Sequence, residues 1–140
     1  MKIKSLLFAV GLASVSVVTF AKGLPKGIKV FDDLSKPIVL APKHAEFALQ
    51  MKSNPTTGYS WYLAGYDNNL LTLVKHQFVA PGKKLMGAPG QELWIFRASP
   101  QFFVAPQITE LHLVYQRPWE KEDAAKDETV KISSQTDAVK

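Results

Sequence analysis

Apolar and polar residues alternate along much of the chain, which is the pattern of strands with one buried face. The alternation is clear over residues 46–52, 110–116 and 130–132, where apolar side chains recur at every second position. Helical periodicity is absent apart from a short turn around residues 120–126. About seven short strands, with turn signals roughly every 8–12 residues, predict an all-β fold that forms a β-sandwich.

Some segments depart from simple alternation. Residues 93–96 are all apolar, as in a strand that is covered on both faces. Tyr59 and Trp61 occupy alternate positions after a turn, and we expect them to face the core. Residues 22–27 and 133–140 are expected to be loose chain ends. The charge-rich stretch 120–128 is expected to be a solvated excursion.

The N-terminus has the composition of a secretory signal peptide. Lys2 and Lys4 precede an apolar or small stretch over residues 6–20, and Thr19-Phe20-Ala21 offers a small-x-small cleavage site. The apolar run is shorter than the ~20 residues that a spanning helix needs, although an uncleaved N-terminal anchor is the alternative. The sequence therefore predicts a signal peptide at 1–21, one domain at 22–140, and a protein that is exported to a periplasm or an extracellular space.

Composition excludes several classes of function. Loss of Lys2 and Lys4 with no acidic residue lowers the formal net charge from +5 to +3. No basic stripe of the kind that binds nucleic acid is present in the sequence. The chain has no cysteine, so it has no disulfide scaffold, thiol nucleophile, thiolate metal site or site for lipid attachment. The 46% hydrophobic residues can supply a core instead. After signal removal we expect a monomer with no membrane attachment.

The sequence contains no pattern typical of an enzyme. His44, His76 and His112 are scattered and lack metal-ligand spacing. Asp32 and Asp33 are adjacent, so in a strand their carboxylates would point to opposite faces. Neither a nucleophile motif nor a phosphate-binding glycine loop is found. We therefore expect no catalytic residue, no metal and no cofactor.

Three loops between the predicted strands carry the distinctive residues. The first contains Pro55, which fixes its own φ, and Gly58, which can take a positive φ at no steric cost. Loops gather at the two ends of a sandwich, so three stiff loops can form one composite surface. The three loop sequences are Asn54-Pro55-Thr56-Thr57-Gly58-Tyr59, Gly87-Ala88-Pro89-Gly90 and Arg117-Pro118-Trp119.

At these residues the chain resembles the chagasin family of cysteine-peptidase inhibitors. The first and third loops match that family's central and last binding loops, and residues 87–90 occupy the place of its glycine-rich middle loop. The order and approximate spacing of the three also agree, and the resemblance extends from about Ile28 to Ile132. Each motif is weak alone, but three in order are specific.

The resemblance implies an immunoglobulin-like β-sandwich whose loops cap the active-site cleft of papain-like cysteine peptidases. By position, residues 54–59 would form a wedge in the cleft, with Thr56 and Thr57 closest to the catalytic thiolate. Residues 87–90 and 117–119 would contact the two walls. Pro89 departs from the family pattern, which has glycine there, and it removes a backbone N–H.

Other interpretations of the same residues remain open. Each loop could be an ordinary strand connection, and Arg117 could stack on Trp119 only to fix its own loop. The alternative function is an exported glycan-binding module, for which Trp119 would supply an aromatic surface. That function needs several coplanar exposed aromatics, and in the sequence only Trp119 falls convincingly in a loop.

Overall fold

The computed structural model describes residues 24–81, 87–121 and 125–136. The predicted signal peptide, residues 1–21, lies outside the described residues. Within them the chain forms eight strands and three short 3-10 turns at Pro42–His44, Pro55–Thr57 and Pro100–Phe103. The strands are β1 (Lys29–Phe31), β2 (Ile38–Leu40), β3 (Glu46–Ser53), β4 (Ser60–Tyr66), β5 (Leu71–Val79), β6 (Gly90–Ala98), β7 (Ile108–Gln116) and β8 (Lys126–Ser134).

The strands form two four-stranded sheets. One sheet has the order β1-β3-β6-β5 and the other the order β2-β8-β7-β4. The short strands β1 and β2 each pair in parallel with a neighbour, and the other pairings are antiparallel. The predicted all-β sandwich is confirmed, with eight strands where the sequence predicted about seven, because β1 and β2 span only three residues each.

Alternation along the long strands builds the core between the two sheets. Alternate side chains in the middle of β3, β7 and β8 are fully buried there, and Trp61 of β4 is 7% exposed. The core positions of β3, β7 and β8 include Phe47, Leu49, Leu111, Leu113, Val130 and Ile132. The predicted core role of Trp61 is therefore confirmed.

Strand β6 is covered on both of its faces, as its continuous apolar run predicted. Trp94 and Phe96 belong to the core between the sheets, while Leu93 and Ile95 pack with Ala48 on the outer face. Leu24 and Ile28 lie against that outer cluster. The expectation of loose ends is therefore wrong for Leu24, which gains apolar contact, and wrong for Ser133 and Ser134, which lie in β8.

The part of the chain that the structure describes contains no helix that could span a membrane. None of its helical segments is long and apolar enough to cross a bilayer.

Candidate functional site

Strand register brings the three loops to one end of the sandwich. Ser53 at the end of β3 lies opposite Gly90 at the start of β6, and Val79 at the end of β5 lies opposite Gln91. Residues 54–59 and 87–89 therefore adjoin the first sheet at the same end. In the second sheet Ser60 at the start of β4 lies opposite Gln116 at the end of β7. The chain after Gln116 therefore emerges beside the chain before Ser60.

The loop of residues 54–59, here called the central loop, is a tight turn held by its own hydrogen bonds. The backbone N–H of Thr57 donates to the carbonyl of Asn54 at 3.1 Å, and that of Gly58 donates to Pro55 at 2.9 Å. Gly58 has φ of +84°, the left-handed conformation that the sequence predicted for it. Thr56 and Thr57 are exposed at the tip. Two short side chains and their backbone are thus presented on a fixed frame.

Asn54 connects the central loop to the middle loop, residues 87–89. Its side-chain amide donates to the carbonyl oxygen of Gly87 at 3.2 Å, and its side-chain oxygen accepts from the Thr56 hydroxyl at 2.6 Å. The Asn54 side chain makes no capping hydrogen bond to the backbone of its own turn. It ties together two loops that are 33 residues apart in sequence instead.

The middle loop is shorter than the sequence predicted. Gly87 and Pro89 are exposed, and Ala88 is half-buried. Gly90, predicted as a contact residue, is the first residue of β6 and is buried. A Cβ at Gly90 would collide with the ring of Phe78, so glycine is there for close packing. Gly90 is consequently a structural residue and offers little surface to a partner.

The loop of residues 117–120, here called the last loop, is bound to the central loop through Arg117. The Nε of Arg117 donates to the carbonyl oxygen of Thr57 at 2.8 Å, and its guanidinium lies 4.4 Å from the centre of the Tyr59 ring. Its distance to the Trp119 ring is longer, at 6.0 Å. Arg117 therefore fixes the central loop as well as its own, through a cation–π contact with Tyr59.

Trp119 lies against the central loop while most of its surface faces solvent. A Cβ added at Gly58 would lie 2.7 Å from Cη2 of Trp119, so the indole packs directly over Gly58. Trp119 is nevertheless 72% exposed. Because Gly58 has no side chain, it can adopt the left-handed conformation of the turn and also leave room for the Trp119 indole.

Glu120 completes the connection between the two loops, and the sequence did not single it out. Its Oε1 accepts from Arg117 at 3.0 Å and from the Tyr59 hydroxyl at 3.1 Å. The hydrogen bond to Glu120 raises the pKa of Tyr59 above its ordinary value of 10.0. The expectation that residues 120–128 are a solvated excursion is therefore wrong at Glu120. It is also wrong at 126–128, which lie in β8.

Aromatic side chains support the base of the central loop. Tyr115 stacks on Tyr59, with 5.3 Å between ring centres, and contacts the tilted ring of Trp61 at 5.0 Å. The Tyr115 hydroxyl accepts from the backbone N–H of Asn54 at 3.2 Å. Tyr59 is half-buried in this stack, so its role is to support the loop rather than to present a free ring.

The described residues contain no cluster of side chains that could hold a metal ion. No group of three or more His, Cys, Asp or Glu side chains is placed to hold an ion in the ranges 24–81, 87–121 and 125–136. His76 pairs with Glu92 and His112 with Glu110. What the three loops offer a partner is backbone, two hydroxyls and one exposed indole.

Comparison with known proteins identifies the same family as the loop motifs. The model of the family "Chagasin family peptidase inhibitor I42" matches residues 41–133, more than half of the chain. Chagasin of Trypanosoma cruzi is 35% identical over 78 residues. That alignment covers 51% of this chain and 64% of chagasin, so it spans less than two thirds of that relative.

Solved structures confirm the immunoglobulin-like sandwich. The crystal structure of a cysteine protease inhibitor from Entamoeba histolytica superposes with a TM-score of 0.57 at 20% identity, covering 79% of this chain and 96% of that one. The solution structure of amebosin gives a TM-score of 0.58 at 21% identity, covering 77% and 98%. Together with the family match, the fold and the loop motifs show that this chain belongs to the chagasin family of peptidase inhibitors.

Proposed function

We propose that this protein is a reversible inhibitor of papain-like cysteine peptidases that blocks the active-site cleft with its three clustered loops. The observation that carries the proposal is the rigid, exposed tip of the central loop. Thr56 and Thr57 project from a turn that is fixed from one side by Arg117 and from the other by Gly87. Family membership supports the same activity.

Preorganisation is the physical basis of the proposed affinity. A loop that is ordered only on binding loses backbone and side-chain freedom, and this cost is subtracted from the binding free energy. Here the central loop already has its turn hydrogen bonds and its link from Arg117 in the free protein. The central loop therefore loses little further conformational freedom when its tip enters a cleft.

The clustering of the loops supports a separate role for each of them in the proposed complex. The tip at Thr56 and Thr57 would approach the catalytic thiolate, while residues 87–89 and 117–119 would contact opposite walls. Enzyme–inhibitor interfaces bury about 1,600 Å² in total, an area within reach of three adjacent loops. Arg117 and Trp119 are of the residue types that dominate such interfaces. All three loops come from one chain, so a single copy is sufficient for inhibition.

Inhibition by blocking the cleft requires no covalent bond between inhibitor and peptidase. The chain has no cysteine that could form a disulfide with the peptidase thiol. Cleavage of the central loop is opposed by the contacts that hold both of its ends, because the peptide cannot relax into the extended form that a protease binds. We therefore propose that the inhibitor dissociates intact.

A titration against papain tests the proposal, with trypsin as the control peptidase. Papain activity should fall with added inhibitor and return on dilution, while trypsin activity should not change. Mass spectrometry of inhibitor recovered from excess papain should give the intact mass. Papain that stays fully active at micromolar inhibitor, a stable adduct, or inhibition that needs cleavage within residues 54–59 would contradict the proposal.

Export is part of the same proposal, and its support is the composition of residues 1–21. We infer that the basic, apolar and small-residue segments of this stretch direct secretion and are removed after Ala21. A periplasmic or extracellular location would place the inhibitor where peptidases of the producer or of another organism are encountered.

The glycan-binding alternative has no specific observation in its favour. A flat sugar-binding surface needs several exposed rings in one plane. Among the described loop residues, Trp119 is largely exposed, whereas Tyr59 is covered by Arg117 and stacked on Tyr115. One indole seated on Gly58 suits insertion between protein side chains better than a sugar platform.

A further inference from the structure

A charged side chain lies inside the sandwich directly beneath the central loop. Glu92 is in β6 and is 2% exposed, and the next residues on its face of the strand are the core residues Trp94 and Phe96. A buried carboxylate loses the hydration that stabilises its charge, and a well-packed aliphatic residue is often at least as stable in such a place. Core packing alone therefore gives no reason for glutamate at this position.

One oxygen of Glu92 connects the two stems of the central loop. Oε1 accepts from the Ser53 hydroxyl at 2.6 Å and from the backbone N–H of Trp61 at 3.2 Å. Ser53 is the last residue of β3, directly before Asn54, and Trp61 is the second residue of β4. The same atom thus holds the chain where it enters the loop and where it leaves.

The other oxygen is held from the edge strand of the sheet. The His76 Nε2 lies 2.8 Å from Oε2 of Glu92, and because a carboxylate oxygen can only accept, Nε2 carries the hydrogen. The imidazole stacks on the Trp94 indole with 3.7 Å between ring centres. The three donors to the carboxylate therefore lie in β3, β4 and β5, and both oxygens of the buried group have a hydrogen-bond partner.

We propose that Glu92 is a positioning residue for inhibition, which sets the separation and orientation of the two stems and thereby the placement of Thr56 and Thr57. The inference rests on the proposed function, since the tip must fit a narrow cleft. The Trp61 indole donates to the carbonyl oxygen of Lys52 at 3.0 Å, which supplies a second connection between the same stems. Glu92 acts through the loop and does not itself touch a peptidase.

A conservative and a non-conservative variant separate positioning from packing. In Glu92→Gln the side-chain oxygen still accepts from Ser53 and Trp61. The amide can donate to Nε2 of His76 once the imidazole carries its hydrogen on Nδ1 instead. In Glu92→Leu volume and burial are kept, but both stem donors lose their acceptor. We expect Glu92→Gln to inhibit papain within about threefold of wild type, and Glu92→Leu to be weaker by about tenfold or more.

Hydrogen exchange at the loop provides a readout that a general loss of stability would not reproduce. The amides of Asn54, Thr57 and Gly58 are hydrogen-bonded within or at the base of the central loop. In Glu92→Leu these amides should exchange faster by NMR, while those of β7 and β8 keep their wild-type order of protection. Ile132→Val, a core change in β8 far from the loop in sequence, serves as the control that lowers stability without selective loop exchange.

The outcomes decide the inference independently of the proposed function. If Glu92→Leu keeps wild-type exchange at the three loop amides and wild-type inhibition, the positioning role is overturned. If Glu92→Leu does not fold, Ser53→Ala removes one stem hydrogen bond and leaves the charge in place. Unchanged loop exchange in that variant then overturns the role. If wild-type protein does not inhibit papain, the proposed function fails, while the exchange comparison still tests whether Glu92 orders the loop.

Discussion

Replacement of Trp119 by alanine should weaken inhibition strongly and leave the fold almost unchanged. Trp119 is 72% exposed and lies beyond the end of β7, so its removal opens no cavity in the core. Its indole covers Gly58 at the side of the central loop. In the proposed complex this face would be buried against a wall of the peptidase cleft.

The size of the effect follows from the exposed area. A tryptophan side chain can bury ~150–250 Å², so its exposed 72% leaves ~150 Å² for the interface. At ~25 cal/mol/Å² this area contributes at most ~4 kcal/mol, and ordering and imperfect packing reduce it by ~1–2 kcal/mol. A net loss of ~2–3 kcal/mol corresponds to an inhibition constant that is about 30- to 150-fold higher.

The assay compares inhibition constants of wild type and Trp119→Ala against papain, with urea unfolding of each protein. Val104→Ala is the matched control, because Val104 is 80% exposed and lies between β6 and β7, at the opposite end of the sandwich. That control should inhibit like wild type. If Trp119→Ala loses several kcal/mol of unfolding free energy and its folded fraction inhibits normally, Trp119 is a structural residue and the interface assignment is wrong.

The other predictions concern the support of the loops and the start of the mature chain. Gly58→Ala should cost about 1–2 kcal/mol of unfolding free energy, measured in urea, because φ of +84° disfavours a side chain. Gly58→Ala should also weaken papain inhibition, since the new Cβ displaces Trp119. Wild-type stability together with a wild-type inhibition constant would show that Trp119 does not pack on Gly58. Glu120→Gln should lower the pKa of Tyr59, followed by NMR of the phenol ring carbons, because the bond to Glu120 is the largest cause of its increase. Because the pKa of Tyr59 is raised on folding, its hydrogen bond to Glu120 stabilises the fold fully below pH 10 and is lost as pH rises through the folded-state pKa. An unaltered Tyr59 pKa in Glu120→Gln would show that Glu120 is not the cause of the increase. Mass analysis of exported protein should show a mature chain that starts at Lys22, and recovery of Met1 in membranes would exclude cleavage.

The long strands could be predicted from sequence because their alternation is imposed by burial of one face. β3 and β7 bury alternate side chains over several positions, and β8 buries Val130 and Ile132, which leaves a period of two in the sequence. β1 and β2 escaped prediction because three residues are too few to define a period. Parallel pairing with a distant strand fixes them instead.

The loops were found through their residue types, but the contacts that unite them were not. Stacking of Arg117 on Trp119, two positions away, was one interpretation left open by the sequence. That contact exists at 6.0 Å, but the Tyr59 ring is closer, at 4.4 Å. Glu120 was assigned to a solvated charged stretch, and Glu92 was not singled out from the sequence. Each depends on a partner brought close by tertiary folding, for which a single sequence carries no local signal.

The central claim, that the tip of the central loop enters the peptidase cleft, is tested most directly by adding bulk at that tip. Thr57 is exposed, and Thr57→Trp removes the hydroxyl bond to the Asn54 carbonyl oxygen but keeps both backbone hydrogen bonds of the turn. The turn and the fold should therefore stay intact by circular dichroism. Pro89→Gly, in the exposed part of the middle loop, is the comparison variant. We predict that Thr57→Trp raises the inhibition constant for papain far more than Pro89→Gly does, because a narrow cleft cannot admit the indole. If Thr57→Trp inhibits papain as well as wild type does, the central loop does not enter the cleft and the proposed mode of inhibition is wrong.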